Sequence, residues 1–120
     1  MFQLKIFEFE GDDISVVKNE ETGDVFVSVN AIADAIGISP RSLREKAKVN
    51  PNYLQEDIVL QVAGQRRTVS CIPVTRTQAL LLNVNPNKVK EEAREKLSAY
   101  QSRLADALHD WADKGVANVN

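Results

Sequence analysis

An α+β fold, with an antiparallel meander and a β-hairpin joined to a short helix pair and a long C-terminal amphipathic helix, follows from three features of this 120-residue sequence. Apolar and polar residues alternate with period two through residues 2–29 and again through 58–71. Two short helical stretches around Gly37-Ile38-Ser39 carry their own start and stop signals. A stripe of apolar residues then recurs at helical spacing from Val89 to Trp111.

The elements take their order from these patterns. In FQLKIFEF, Phe2, Leu4 and Ile6 alternate with Gln3 and Lys5, which predicts a first strand. Gly11-Asp12-Asp13 predicts a turn, Ile14–Lys18 a second strand, and Asn19–Asp24 a polar loop pivoting on Gly23. Val25, Val27 and Val29 give a third strand, and the short connections make the three antiparallel. Asn30 predicts an N-cap for a helix over Ala31–Ile36, which Gly37 stops. Ser39-Pro40 predicts the cap and first position of a second helix reaching Lys48, ended by Asn50-Pro51-Asn52. Strands at 58–62 and 69–71, with Gly64-Gln65 between them, form a hairpin that Pro73 terminates. Arg76–Leu82 supplies one or two helical turns, and Asn83–Asn87 a bend.

Val89, Ala93, Leu97, Tyr100, Leu104, Leu108 and Trp111 then mark one face of a helix over about residues 88–114, with Lys114 and Gly115 at its end. Such a helix measures roughly 39 Å, against a diameter of about 35 Å for a domain of this size. It therefore either spans one side of the core or projects toward a partner. In the second case Tyr100, Leu104, Leu108 and Trp111 form a protein interface, and the chain is a homo-oligomer, a dimer or higher.

Composition narrows the function. Apolar residues make up 43% and charged residues 27%, the balance of one globular domain spanning 1–120. No run approaches the length of a membrane span, and the amino terminus lacks the pattern of a signal peptide, so a cytoplasmic protein without membrane contact is expected. The single cysteine, Cys71, excludes an internal disulfide and reads as a core residue. The one histidine, His109, falls on the charged side of the last helix. Phosphate loops, dinucleotide fingerprints and metal-ligand spacings are all missing. Glu91, Glu92 and Glu95 suit the positive end of a helix dipole better than a metal. The expectation is a protein that is not an enzyme and has no catalytic residue, metal site or cofactor.

Charge is unevenly spread. Residues 1–30 hold two basic and seven acidic residues, residues 31–90 nine basic and four acidic, and residues 91–120 four basic and six acidic. The basic middle contains VNAIADAIGISPRSLREK, which has the small residue, turn glycine and flanking apolar residues of a helix-turn-helix. Arg41, Arg44 and Lys48 share one face of its second helix, while Leu43 and Ala47 share the other. Apolar behind and basic in front is the arrangement that sets side chains into a DNA major groove. Lys46 departs from it, standing where a second buried apolar residue is usual. Arg66 and Arg67 at the hairpin tip, with Arg76 nearby in sequence, form a second basic group suited to phosphate or simply to water. These residues leave two readings open: a module that binds another protein, and a sequence-specific DNA-binding regulator.

The segment CIPVTRTQALLLNVNPNKVKEEAREKLSAYQSRLADALHDWADKG resembles the amino-terminal domain of phage antirepressor proteins. The specific residues are Asn85-Pro86-Asn87-Lys88-Val89, then Arg94-Glu95-Lys96-Leu97 and Tyr100-Gln101. The resemblance extends over roughly residues 5–115, and the 25–48 stretch is also similar to the amino-terminal domain of baculovirus repeated-ORF proteins. Family members often carry a Gly-Trp pair where Gln78-Ala79 stand here, and a proline at the position of Glu91. Many continue into a second, carboxy-terminal domain, so this 120-residue sequence corresponds to a short member or to a part of a longer one. The resemblance implies a regulator of prophage lysogeny in the cytoplasm of a bacterial host. It would bind a phage repressor and relieve its hold on operator DNA.

Overall fold

The computed structural model describes residues 2–50, 53 and 55–111. Five strands form one antiparallel sheet in the order β1-β2-β3-β5-β4, with β1 at Phe2–Phe9, β2 at Asp12–Asn19, β3 at Val25–Ser28, β4 at Glu56–Val62 and β5 at Gln65–Pro73. The helices are α1 (Val29–Ile36), α2 (Pro40–Val49), α3 (Thr77–Leu82), α4 (Glu91–Ala99) and α5 (Ala105–Trp111).

Both hairpins close on two-residue turns rather than on the turn residues expected. Glu10-Gly11 and Ala63-Gly64 all have positive φ, so Asp12 and Gln65 already belong to strands. Turns of this hand match the right-handed twist of the flanking strands, which explains the tighter connections.

Register assigns the core to two sides of the sheet. Phe7, Ile14, Val16, Val27 and Ile72 point toward the helices. On the opposite face Val17, Phe26, Ile58, Leu60 and Cys71 form a second apolar cluster. Phe2 and Leu4 from one edge strand and Val62 from the other pack against that cluster, so the sheet curls around it.

The N-cap of α1 is Ser28, whose Oγ accepts from the Ala31 amide at 3.1 Å, and not Asn30 as the sequence led us to expect. Gly37, at φ +76°, ends α1 in the left-handed region and its N–H reaches the Ala33 carbonyl. Ser39 caps α2, accepting from Ser42 N–H at 3.4 Å, with Pro40 at its start. The helix closes at Val49, while Pro51 and Asn52 lie outside the described residues.

The C-terminal helix runs for 21 residues, from Glu91 rather than 88. Pro86–Lys88 instead forms a separate 3₁₀ turn in which the Asn85 side chain accepts from Asn87 N–H at 2.9 Å. Glu91 and Glu92 occupy the first turn. Proline is favoured at that position because it lacks an N–H, and a carboxylate there is favoured by the dipole. Between α4 and α5, Tyr100–Leu104 widens into a π-helical turn. The expected end of the helix at Lys114 and Gly115 falls outside the described residues.

Candidate functional site

The apolar stripe of the C-terminal helix faces inward. Leu97, Tyr100, Leu104 and Leu108 are fully or almost fully buried in the main core. Trp111 is half-buried, with its ring centroid 5.2 Å from that of Phe7. This corrects the expectation that Tyr100, Leu104 and Leu108 form a protein interface with Trp111, for those three side chains have no surface to offer. Phe7 and Phe9 of β1, together with apolar residues of α1 and α3, form an apolar surface that the stripe covers. The basis for self-association through this helix goes with it.

The same helix clamps the β1–β2 turn. Lys96 Nζ lies 3.0 Å from Asp12, the Tyr100 hydroxyl donates to Asp12 Oδ2 at 2.7 Å, and Arg103 pairs with Glu10. Burial and then the Asp12 hydrogen bond hold the Tyr100 phenol protonated well above its usual range. Cys71 is buried on β5, where loss of water, with Glu56 and Asp57 nearby, pushes its thiol up to about 12. Such a thiol is neutral and unreactive. His109 is exposed. Among the described residues, no cluster of three or more His, Cys, Asp or Glu could hold a metal, and no helix is long and apolar enough to cross a membrane.

The helix pair stands as its sequence pattern dictates. Leu43 and Ala47 are buried beneath α2, against Ile32, Ala33 and Ile36 of α1. Lys46, the departure from the pattern, is half-buried beside Val49, Asn50, Tyr53 and Asn83, a position a long amphipathic side chain tolerates. The side chain of Arg41 is 82% exposed and pairs with Glu45 at 3.1 Å, one turn along. Lys48 is exposed. Arg44 does not project freely but donates to Asn30 Oδ1 at 2.7 Å, bridging α2 to the first turn of α1.

Arg66 and Arg67 are both exposed on the hairpin, but as neighbours on a strand they point to opposite faces. Arg66 shares a face with Thr68. Arg67 turns to the inner side of the curl and lines a groove of about 490 Å³ between the hairpin and α1. Arg76 lies beyond the far end of β5, some 25–30 Å along the strand from the tip, and does not join this group.

The groove brings the two halves of the basic middle together. Its walls are Asp12, Asp13 and Ser15 from β2, Ser28, Asn30 and Asp34 around α1, and Arg67 to Ser70 from β5. Asn30 therefore links the two basic groups, accepting from Arg44 and lining the groove that Arg67 also lines. Its freedom to do so comes from Ser28 having taken the cap. Ser28 has the same cap-forming chemistry as Asn30, and nothing local favours the later residue. The acidic walls, Asp12, Asp13 and Asp34, escaped the sequence reading because they are scattered across the chain.

The family model described as the P22_AR N-terminal domain matches residues 5–118. The chain belongs to that family. It is the phage antirepressor amino-terminal family, so the order seen here of acidic meander, helix pair, hairpin, asparagine-proline bend and long helix is that of a P22_AR N-terminal domain. Neither the curated proteins nor the solved structures contain a match to the chain.

Proposed function

We propose that this P22_AR N-terminal domain acts by binding a protein, a phage repressor, and weakening that repressor's hold on operator DNA in the cytoplasm of the bacterial host. On this reading it performs no chemistry of its own. Family membership supplies the biological setting, and the single observation that carries the choice of partner is the mixed charge of the groove. Arg67 lines it and Arg44 is tied to its wall through Asn30, but the carboxylates of Asp13 and Asp34 line it too, while that of Asp12 is already paired with Lys96. A phosphate backbone laid across that face would meet carboxylates, which repel it, whereas a protein surface can offer both signs in the matching order.

The test is a titration of the purified chain into a complex of the prophage's own repressor with its operator. Release of the repressor near stoichiometric addition is expected. A repressor that stays bound at large molar excess would sink the proposal. Pairing Asp34→Lys with Arg67→Glu should raise the concentration needed at least about tenfold without changing the melting temperature, because both residues are exposed.

A second reading, direct DNA binding, is favoured by one observation: α2 buries its apolar side and turns Arg41 and Lys48 outward. It predicts a mobility shift with operator DNA alone that weakens steeply with salt. No shift at low salt would eliminate it.

A further inference from the structure

β3 is shorter than the strands on either side of it. β2 spans Asp12–Asn19 and β5 spans Gln65–Pro73, but β3 stops at Ser28, where α1 begins. Its pairing with β2 ends at Val16 and its pairing with β5 at Cys71. Two strand spacings, about 10 Å, separate β2 from β5 where β3 lies between them. Past Ser28 that interval continues as the groove, with Asp12, Asp13 and Ser15 on one side and Arg67 to Ser70 on the other. Among the described residues no strand fills it. The groove is a missing strand in the middle of the sheet.

Its walls offer backbone groups as well as side chains. The two-residue turns make Phe9 with Asp12, and Val62 with Gln65, hydrogen-bonded pairs, and bonded pairs alternate with non-bonded ones along antiparallel strands. Asp12 and Ile14 therefore direct their N–H and C=O groups to β1, and Arg67 and Val69 direct theirs to β4. Asp13 and Thr68 direct theirs into the groove. Asn19, in phase with Asp13, shows the same direction, for its N–H reaches the Asp24 carbonyl on the β3 side at 2.8 Å. Ala31 and Ala35 of α1 line the groove with small side chains, which leaves room for a backbone.

Charge indicates what enters. Glu8 and Asp13 are direct partners across β1 and β2 and both are exposed, so two carboxylates share one face beside the groove. Like charges placed this way repel until a cation joins them. Asp34 adds a third carboxylate from α1.

We propose that the groove takes an extended segment of the repressor as an inserted strand, in line with β3 and antiparallel to both β2 and β5, with a lysine or arginine opposite Asp13. The proposal rests on the repressor reading and specifies how that partner is held. About four residues fill the interval from Asp12 to Ser15. Continuing the register of β3 sets the basic residue between Asp13 and Val69, on the face that also carries Glu8.

The prophage's own repressor is the probe, with two readouts: its release from operator DNA and the amide hydrogen exchange of the full chain by NMR. Exchange at Asp13 and Thr68 should slow at least about tenfold when repressor is added. Thr68→Pro removes a groove-facing N–H without removing a bond to β4, and should raise the amount of chain needed for release at least about tenfold. Asp13→Lys should do the same without lowering the melting temperature, because the position is exposed and loses a like-charge neighbour. Release while Asp13 and Thr68 exchange as in the free chain overturns the inserted strand and leaves the repressor reading standing. Release by both variants at wild-type amounts does the same. No release at all overturns both.

Discussion

Along the C-terminal helix, Leu97, Tyr100, Leu104 and Leu108 all lie in the core, whereas along β4 burial alternates, with Ile58 and Leu60 covered and Asp57, Val59 and Gln61 in solvent. Both elements carry an apolar stripe at the period of their secondary structure. The helix meets apolar residues of α1 and α3 and the Phe7–Phe9 end of β1, and uses its stripe there. The hairpin reaches beyond the helices, so only its inner face is covered. A regular stripe therefore says that one side of an element must be sheltered from water. Whether the chain itself supplies the shelter depends on what lies opposite, which is a property of the assembled fold.

The contrast can be broken most sharply at Leu104. Leu104→Ala should cost about 2–5 kcal/mol of stability, because a fully buried leucine leaves a cavity. Chemical denaturation measures this, and a loss confined to partner binding at full stability would return the stripe to the surface. Next comes Tyr100→Phe, which removes the hydrogen bond to Asp12 and should cost about 2 kcal/mol. Gly37→Ala should cost about 1–2 kcal/mol, since a side chain at φ +76° is strained and its Cβ would sit 3.5 Å from that of Ala93. On the hairpin the expected cost is smallest. Arg67→Ala should change stability by less than about 0.5 kcal/mol while weakening partner binding, because its side chain lines a groove and supports no core.

A pH series sharpens the same division from inside the fold. Cys71 and Tyr100 keep their protons in the folded chain at pH values where the unfolded chain loses them. The folded state then binds more protons than the unfolded state, so stability should fall as pH rises above about 9. A denaturant midpoint that stays constant from pH 8 to above pH 10 would contradict the burial of both groups. Below the ordinary thiol range Cys71 should also resist thiol reagents until the chain unfolds.

The elements themselves were legible because each is written locally. Alternation fixed the strands, Gly37 with Ser39-Pro40 marked the joint of the helix pair, and the spacing of Leu97, Tyr100, Leu104 and Leu108 fixed a helix. Boundaries shifted where two signals competed, as at Ser28 against Asn30. The two-residue hairpin turns likewise followed from strand twist, which no single residue announces. The π-helical turn at Tyr100–Leu104 also left no mark in the sequence. Gln101 reaches the Leu81 carbonyl of α3 at 3.0 Å from within it, a contact with a separate helix.

The candidate site divides in the same way. The basic residues Arg41, Arg44, Lys48, Arg66 and Arg67 could be named from sequence because they cluster along the chain. Their grouping could not, because the packing of α2 on α1 ties Arg44 to Asn30 and only the curl of the sheet carries Arg67 to α1 and sets Asp13 and Asp34 along the same groove. Sequence determined which residues must hide from water and which must carry charge, since solvation acts on each side chain wherever it sits. Tertiary structure alone decided which surfaces remained free to meet another molecule, since that depends on distances between segments far apart in the chain.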